Sequence, residues 1–172
     1  MAFGSTSAIF VQAMKNPLLR SIDPTNITLP TGYTDLVTDT INVALYGNSG
    51  TPNKLDTLAN TGYNTGQWVT GNETSGTGYT AAGKALTGVA YGIDATATNA
   101  LAYTANNLSW TSASFTAYGD LVYDNSISSP TAKQGICFHS YGGSAETISG
   151  GTFTIAWYST GYANPVVFSI TV

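Results

Sequence analysis

From Asp39 onward the apolar side chains of this chain recur at every second position, and the 3.6-residue spacing of an amphipathic helix does not take over. In TINVALYG, Ile41, Val43 and Leu45 alternate with Asn42, Ala44 and Tyr46. In SFTAYGDLVYD, Phe115, Ala117, Gly119, Leu121 and Tyr123 alternate with Thr116, Tyr118, Asp120 and Val122. The same rhythm returns in GICFHS, in TFTIAWYS and in VVFSITV, where Val166, Phe168, Ile170 and Val172 share a face. A period of two is that of a strand with one face buried. Weaker strands are expected around Gln67 to Thr70, Ala85 to Tyr91 and Leu101 to Trp110. Between these segments lie GNSGTPN, GNETSGTG and SYGGSAETISGG, whose glycines and asparagines supply the backbone conformations that tight turns need. Short strands with frequent turns predict an all-β chain, an antiparallel β-sandwich or jelly-roll-like barrel with an extended N-terminal arm. The last strand is expected to turn at Gly161, Asn164 and Pro165 and to pair with Phe153 to Trp157.

Residues 1–36 read differently from residues 37–172, and the two are assigned as an arm and a β-sandwich domain. The arm holds two of the five cations, three of the six prolines and both methionines. Ile9 to Met14 could form a helical turn or two that Pro17 ends, and SIDPTNITLPTGYTD reads as extended chain. Its apolar residues Phe3, Ile9, Phe10, Val11, Leu18 and Leu19 would form a patch on an isolated domain, so they are the expected contact with a partner chain.

Only 8 % of the 172 residues are charged, against about 25 % in an ordinary globular protein. Hydroxyl and amide side chains stand where Lys and Glu usually do. A neutral exterior suits an assembly, in which charged groups would have to be desolvated at each contact. The formal net charge is −4 and the five cations are scattered, which is no footprint for nucleic acid. A lone cysteine, Cys137, excludes an internal disulfide, and one histidine beside it excludes a Cys/His zinc site. No apolar run approaches the 18 residues or so of a membrane helix, and no basic leader precedes the short apolar stretch near Met1, so neither signal peptide nor anchor is expected.

Catalysis has little to work with. A Ser-His-acid arrangement would need His139, and no GxSxG turn accompanies it. Cys137 and His139 share a strand face and could meet a metal, although a buried thiol beside a polar strand residue is the simpler reading. Asp120 and Asp124, four apart in a strand, would lie about 13 Å from each other at roughly 3.3 Å per residue. That exceeds the spacing of either glycosidase mechanism. Glu73 and Glu146 fall in glycine-rich loops. The expectation is therefore no catalytic residue, no metal and no cofactor. Tyr63, Tyr79, Tyr141 and Tyr162 sit beside glycine in turn-like segments, where tyrosines either face a partner or close the end of a sheet.

Four blocks, TINVALYGNSGTPNK, TGNETSGTGYTAAGKALTGVA, LSWTSASFTAYGDLVYDN and GGTFTIAWYSTG, together resemble a family of small structural proteins of tailed bacteriophages. The likeness covers residues 40–172, and the blocks appear in the family's order. Thr51-Pro52, Asn72-Glu73 and Leu121-Val122-Tyr123-Asp124 match its motifs; GICFHSYGG departs where the family more often carries an acidic turn. The resemblance implies a non-enzymatic virion protein, assembled in the bacterial host cytoplasm. It would bind other virion proteins, above all the major capsid protein, as a homo-oligomer and without nucleic acid or membrane. Small size, a single domain and an arm favour a head decoration or minor capsid protein on the outside of the shell. The alternative is a tail, baseplate or fibre protein, an adhesin with glycan-binding loops.

Overall fold

The computed structural model describes residues 7–10, 34–97, 100–129 and 131–171. They are built from ten strands, β1 (Ala8–Ile9), β2 (Ile41–Tyr46), β3 (Lys84–Ala85), β4 (Ala90–Ile93), β5 (Ala100–Thr104), β6 (Leu108–Ala117), β7 (Gly119–Asp124), β8 (Gly135–Ser140), β9 (Glu146–Ile155) and β10 (Val166–Thr171). All pairing is antiparallel, in sheets of order β1-β8-β7-β2-β3, β10-β5-β4 and β6-β9. The all-β expectation is met. One continuous apolar cluster joins the sheets, drawing Ile41, Leu45 and Leu121 from the first, Tyr103 and Phe168 from the second and Trp110 and Phe115 from the third.

Several local expectations are corrected. SFTAYGDLVYD is two strands, because Tyr118 donates its N–H to Tyr46 O (2.8 Å) and the chain passes from one sheet to another there. Every residue of β7 is buried, Val122, Asp120 and Asp124 included, since β2 and β8 flank it and other parts of the chain cover both faces. Alternation thus holds for β6 and fails for β7. Gln67 to Thr70 forms short 3-10 turns instead of a strand, and these carry Trp68 into the core at 1 % exposure. The glycine-rich SYGGSAETISGG contains the first half of β9. The C-terminal strand β10 pairs with β5, from Val166 opposite Thr104 to Thr171 opposite Ala100, and its backbone pairing with the segment after β9 is limited, among the described residues, to a Tyr158–Val166 bridge.

The boundary drawn at residue 36 does not separate two bodies. Leu36 is buried in the core, and Ala8 and Ile9 pair with Phe138 and Cys137 of β8. Ile9 lies in a strand rather than the expected helical turn. Phe10 follows it into the same core, donating its N–H to Ile136 O (2.9 Å) and packing its ring on Trp68 and Phe138, with centroids 6.1 and 5.5 Å away. Gly135 makes room for that ring. A Cβ there would lie 2.7 Å from the Phe10 ring and 2.2 Å from Thr61 O.

Candidate functional site

The expected partner contact divides in two. Phe3, Val11, Leu18 and Leu19 lie outside the described residues. Of the other two, Phe10 is 1 % exposed and Ile9 is half-buried against the core, so both serve this domain and not a patch for another chain. The physical reason is that β8 offers a paired edge and an aromatic seat that bury Phe10 at once.

The groups with chemical potential are the ionisable ones that the fold has taken inside. His139 stands opposite Asp120 in the β7–β8 register, and its Nδ1 is 2.7 Å from Asp120 Oδ1. Its Nε2 is 2.9 Å from Val167 O, on β10. Both neighbours only accept, so both ring nitrogens must donate and the ring is an imidazolium paired with a carboxylate. Burial is the largest single influence and disfavours that charge; the Asp120 carboxylate, together with Cys137, outweighs it and holds the His139 pKa well above its usual value. Tyr141 adds a hydroxyl donor to Asp120 Oδ2 (3.0 Å), which completes the partners of a fully buried carboxylate. Burial pushes the Cys137 thiol up, away from the reactive thiolate, although His139 pulls the other way. A cavity of about 220 Å3 opens against this cluster, walled by Ile155, Trp157, Tyr158 and Val166. In this arrangement His139 has no lone pair free to accept a proton or bind a metal, and no group of three His, Cys, Asp or Glu side chains among the described residues could hold one.

Glu73 is a second hub. Its Oε1 accepts the Tyr79 hydroxyl (2.6 Å) and the Ala82 N–H (2.7 Å), and its Oε2 accepts the Tyr63 hydroxyl (2.8 Å). Tyr79 Oη in turn accepts the Leu45 N–H (2.9 Å), and the Tyr123 hydroxyl donates to Ala82 O (2.8 Å). Tyr63 stacks on Tyr123 with centroids 4.9 Å apart. One carboxylate therefore pins the loop over residues 72–83 to β2 and β7. Gly83 lets that loop close, since it has φ +67° and a Cβ on it would lie 1.8 Å from Val43 O. The tyrosines follow suit: burial, then Glu73, raises the pKa of Tyr63 and Tyr79, and burial pushes Tyr123 up to about 12.

Two further aspartates are internal. Asp124 Oδ1 accepts the Ser126 N–H (2.8 Å), while Oδ2 faces the Asp39 carboxyl and the Thr34 hydroxyl without a well-formed hydrogen bond. Burial first, and the Asp39 carboxyl beside it, push the Asp124 pKa up to about 7. Asp94 does the opposite. It accepts the N–H groups of Thr96, Ala97 and Ala163, and these hydrogen bonds lower its pKa.

Ser and Thr are prominent among the exposed described residues. The outward face of the β6–β9 ribbon carries Ser109 opposite Thr154, Ser114 opposite Ser149 and Thr116 opposite Thr147, all exposed. Ser109–Thr154 and Thr116–Thr147 hydrogen-bond side chain to side chain at 2.9 Å each. The inward face carries Trp110, Phe115 and Phe153. The four glycine-flanked tyrosines are buried or half-buried, with hydroxyls directed to Glu73, Asp120 and Ser169. They close sheet ends. Sequence reasoning missed Glu73 as a hub and the Asp120–His139 pair; the Asn72-Glu73 motif was the available signal for the first, and the second had none. No helix among the described residues is long and apolar enough to cross a membrane. Comparison of the chain with protein-family models, with curated proteins and with solved structures finds no match.

Proposed function

We propose that this chain is a non-enzymatic β-sandwich protein of a tailed-bacteriophage virion, a head decoration or minor capsid protein that docks on the outside of the shell. The observation that carries the reading is the uncharged hydroxyl face of the β6–β9 ribbon, set on a rigid aromatic layer. Such a face loses little on desolvation, because no ion is stripped of water and its hydroxyls already satisfy one another in part. Support also comes from the ionisable groups. Glu73, Asp94, Asp120 and His139 are each engaged by internal partners that hold loops and strands in place, which is an architectural use. Two of these supports, Glu73 and Asp120, lie in the blocks that carry the family resemblance.

Copy number on purified particles tests the proposal. A decoration protein is expected in high copy, visible on a stained gel beside the major capsid protein, with antibody labelling spread over the head. A handful of copies, labelled at the tail tip, would favour the tail or fibre reading. Absence from particles would end both. Replacing Ser114 and Thr116 with Lys should leave the domain folded and strip it from the head.

A further inference from the structure

We propose that β4 is a dimerisation edge, at which a second copy of this chain adds its own β4 antiparallel across a two-fold axis at Gly92. Among the described residues, β4 ends its sheet, and no strand lies beyond it. Three other sheet margins are engaged or short. The carbonyl of Val167 in β10 is taken by His139 and its amide neighbour Val166 by Tyr158, while β1 and β3 are only two residues long. Among the described residues nothing of that kind protects Ala90–Ile93, which carries no charge, no proline and no bulge against β5.

The register shows why a copy of the same strand fits. Asp94 donates its N–H to Ala100 O (3.0 Å), its opposite residue in β5, so in the antiparallel alternation the backbone groups of Gly92 and Ala90 also face β5. Those of Tyr91 and Ile93 then face outward. Set two such strands antiparallel about Gly92, and Tyr91 of each copy stands opposite Ile93 of the other. Every outward N–H and C=O finds its complement, and the pattern repeats itself under the two-fold. At the axis the two Gly92 form a non-hydrogen-bonded pair, with Cα atoms about 4.5 Å apart. A Cβ on Gly92 meets nothing within 4 Å, so the face of the strand is uncrowded at the axis.

The side chains agree with this register. Ile93 is 76 % exposed, an apolar side chain without a partner, and it lies on the same face as Tyr91, whose half-buried ring packs on Phe168. Pairing would lay each Ile93 on the Tyr91 of the other copy. Charge does not oppose the approach. Asp94, the nearest carboxylate, is turned to the N–H groups of Thr96, Ala97 and Ala163. The inference does not rest on the virion assignment, since a dimer in solution would form whether or not the protein joins a particle.

Sedimentation of the full chain from micromolar to near-millimolar concentration tests it. The wild type is expected to pass from monomer to dimer. Ile93→Pro removes an N–H that β5 does not use, so it should keep the wild-type circular dichroism spectrum and remain a monomer. Ile93→Lys is the second variant and should do the same should Pro unsettle the strand. Gly92→Cys should oxidise to a covalent dimer, the Cα separation lying within the disulfide range. A wild type that stays monomeric throughout, with the Tyr91 and Ile93 amides protected from exchange by this chain's own residues, would overturn the proposal. So would a dimer that both Ile93 variants leave intact.

Discussion

His139 of β8 and Asp120 of β7 face each other at 2.7 Å, and the same imidazole reaches Val167 O of β10 at 2.9 Å, so one side chain ties two sheets together. Removing it does more than lose a contact, because a fully buried carboxylate is left with Tyr141 as its side-chain donor. The sequence reading took His139 as a polar strand residue beside a buried thiol; the pairing makes it a tie between sheets. His139→Ala is expected to lower unfolding free energy by about 3 kcal/mol, the low end for breaking a buried pair, since the His139 side chain is 22 % exposed. Urea denaturation gives the figure. Because the folded pKa is raised, the stabilisation is complete below the unfolded value of about 6.5 and fades as pH rises through the folded one.

Asp124 governs a lower pH window. Its folded pKa of about 7 lies above the ordinary value of 3.8, so the folded chain holds a proton that the unfolded chain has released between those limits. Stability should therefore fall as pH rises from 4 to 7, by at most about 1.4 kcal/mol per pH unit. Asp124→Asn is expected to flatten that slope in thermal melts taken across the range.

Glu73→Gln keeps the size of the side chain but puts an amide N–H2 where an acceptor stood. At least one of Tyr63, Tyr79 and the Ala82 N–H then loses its acceptor. The cost should be about 1.5 to 3 kcal/mol, that of a hydrogen bond to a charged group. Faster amide exchange at Ala82 and Leu45 would locate the loss in the loop over residues 72–83.

Phe10→Ala should cost about 3 to 5 kcal/mol, as for other buried Phe truncations. It follows that deleting residues 1–29 removes a core side chain together with β1, and that the remaining domain should express poorly or melt well below the parent. A truncated protein with the parent's melting point would show that the Phe10 seat is dispensable.

Phe168→Ala should cost a similar amount, about 3 to 5 kcal/mol. Phe168 is 8 % exposed and lies 5.5 Å from the Tyr103 ring and 6.5 Å from the Tyr91 ring. Loss of exchange protection should appear in β5, which β10 flanks, and in β4 beyond it, and not in β9.

Strand existence was legible because one-sided burial writes itself as alternation, as in β6. Partner choice was not. VVFSITV has the same pattern whether it pairs with Phe153 to Trp157 or with Ala100 to Thr104, and the weak ALAYT signal of β5 gave no reason to prefer the latter. In β7 the sequence alternates although both faces are buried, and that alternation hid the fact that Asp120 and Asp124 are internal. Phe10 was legible as apolar but not as core, since a lone aromatic in a proline-punctuated segment looks the same against a partner chain as against its own Trp68. Of the candidate site, the neutral hydroxyl surface was visible in composition; the carboxylate hubs required three-dimensional proximity between residues far apart in sequence.

The pairing of β1 with β8 also sets an order of events in synthesis. Phe10 leaves the ribosome early, yet Ile136 and Phe138, which hold it, are translated only after most of the described domain has emerged. Until then its ring and the Trp68 ring beside it lack the Phe138 side of their seat. The domain cannot complete its core one strand at a time from the N-terminus, so native closure waits for β8. Slow formation of long-range β pairs exposes apolar surface in the interval. Chaperone dependence should accordingly concentrate in the nascent chain between β2 and β8, and pausing translation there should trap a protease-sensitive, aggregation-prone intermediate.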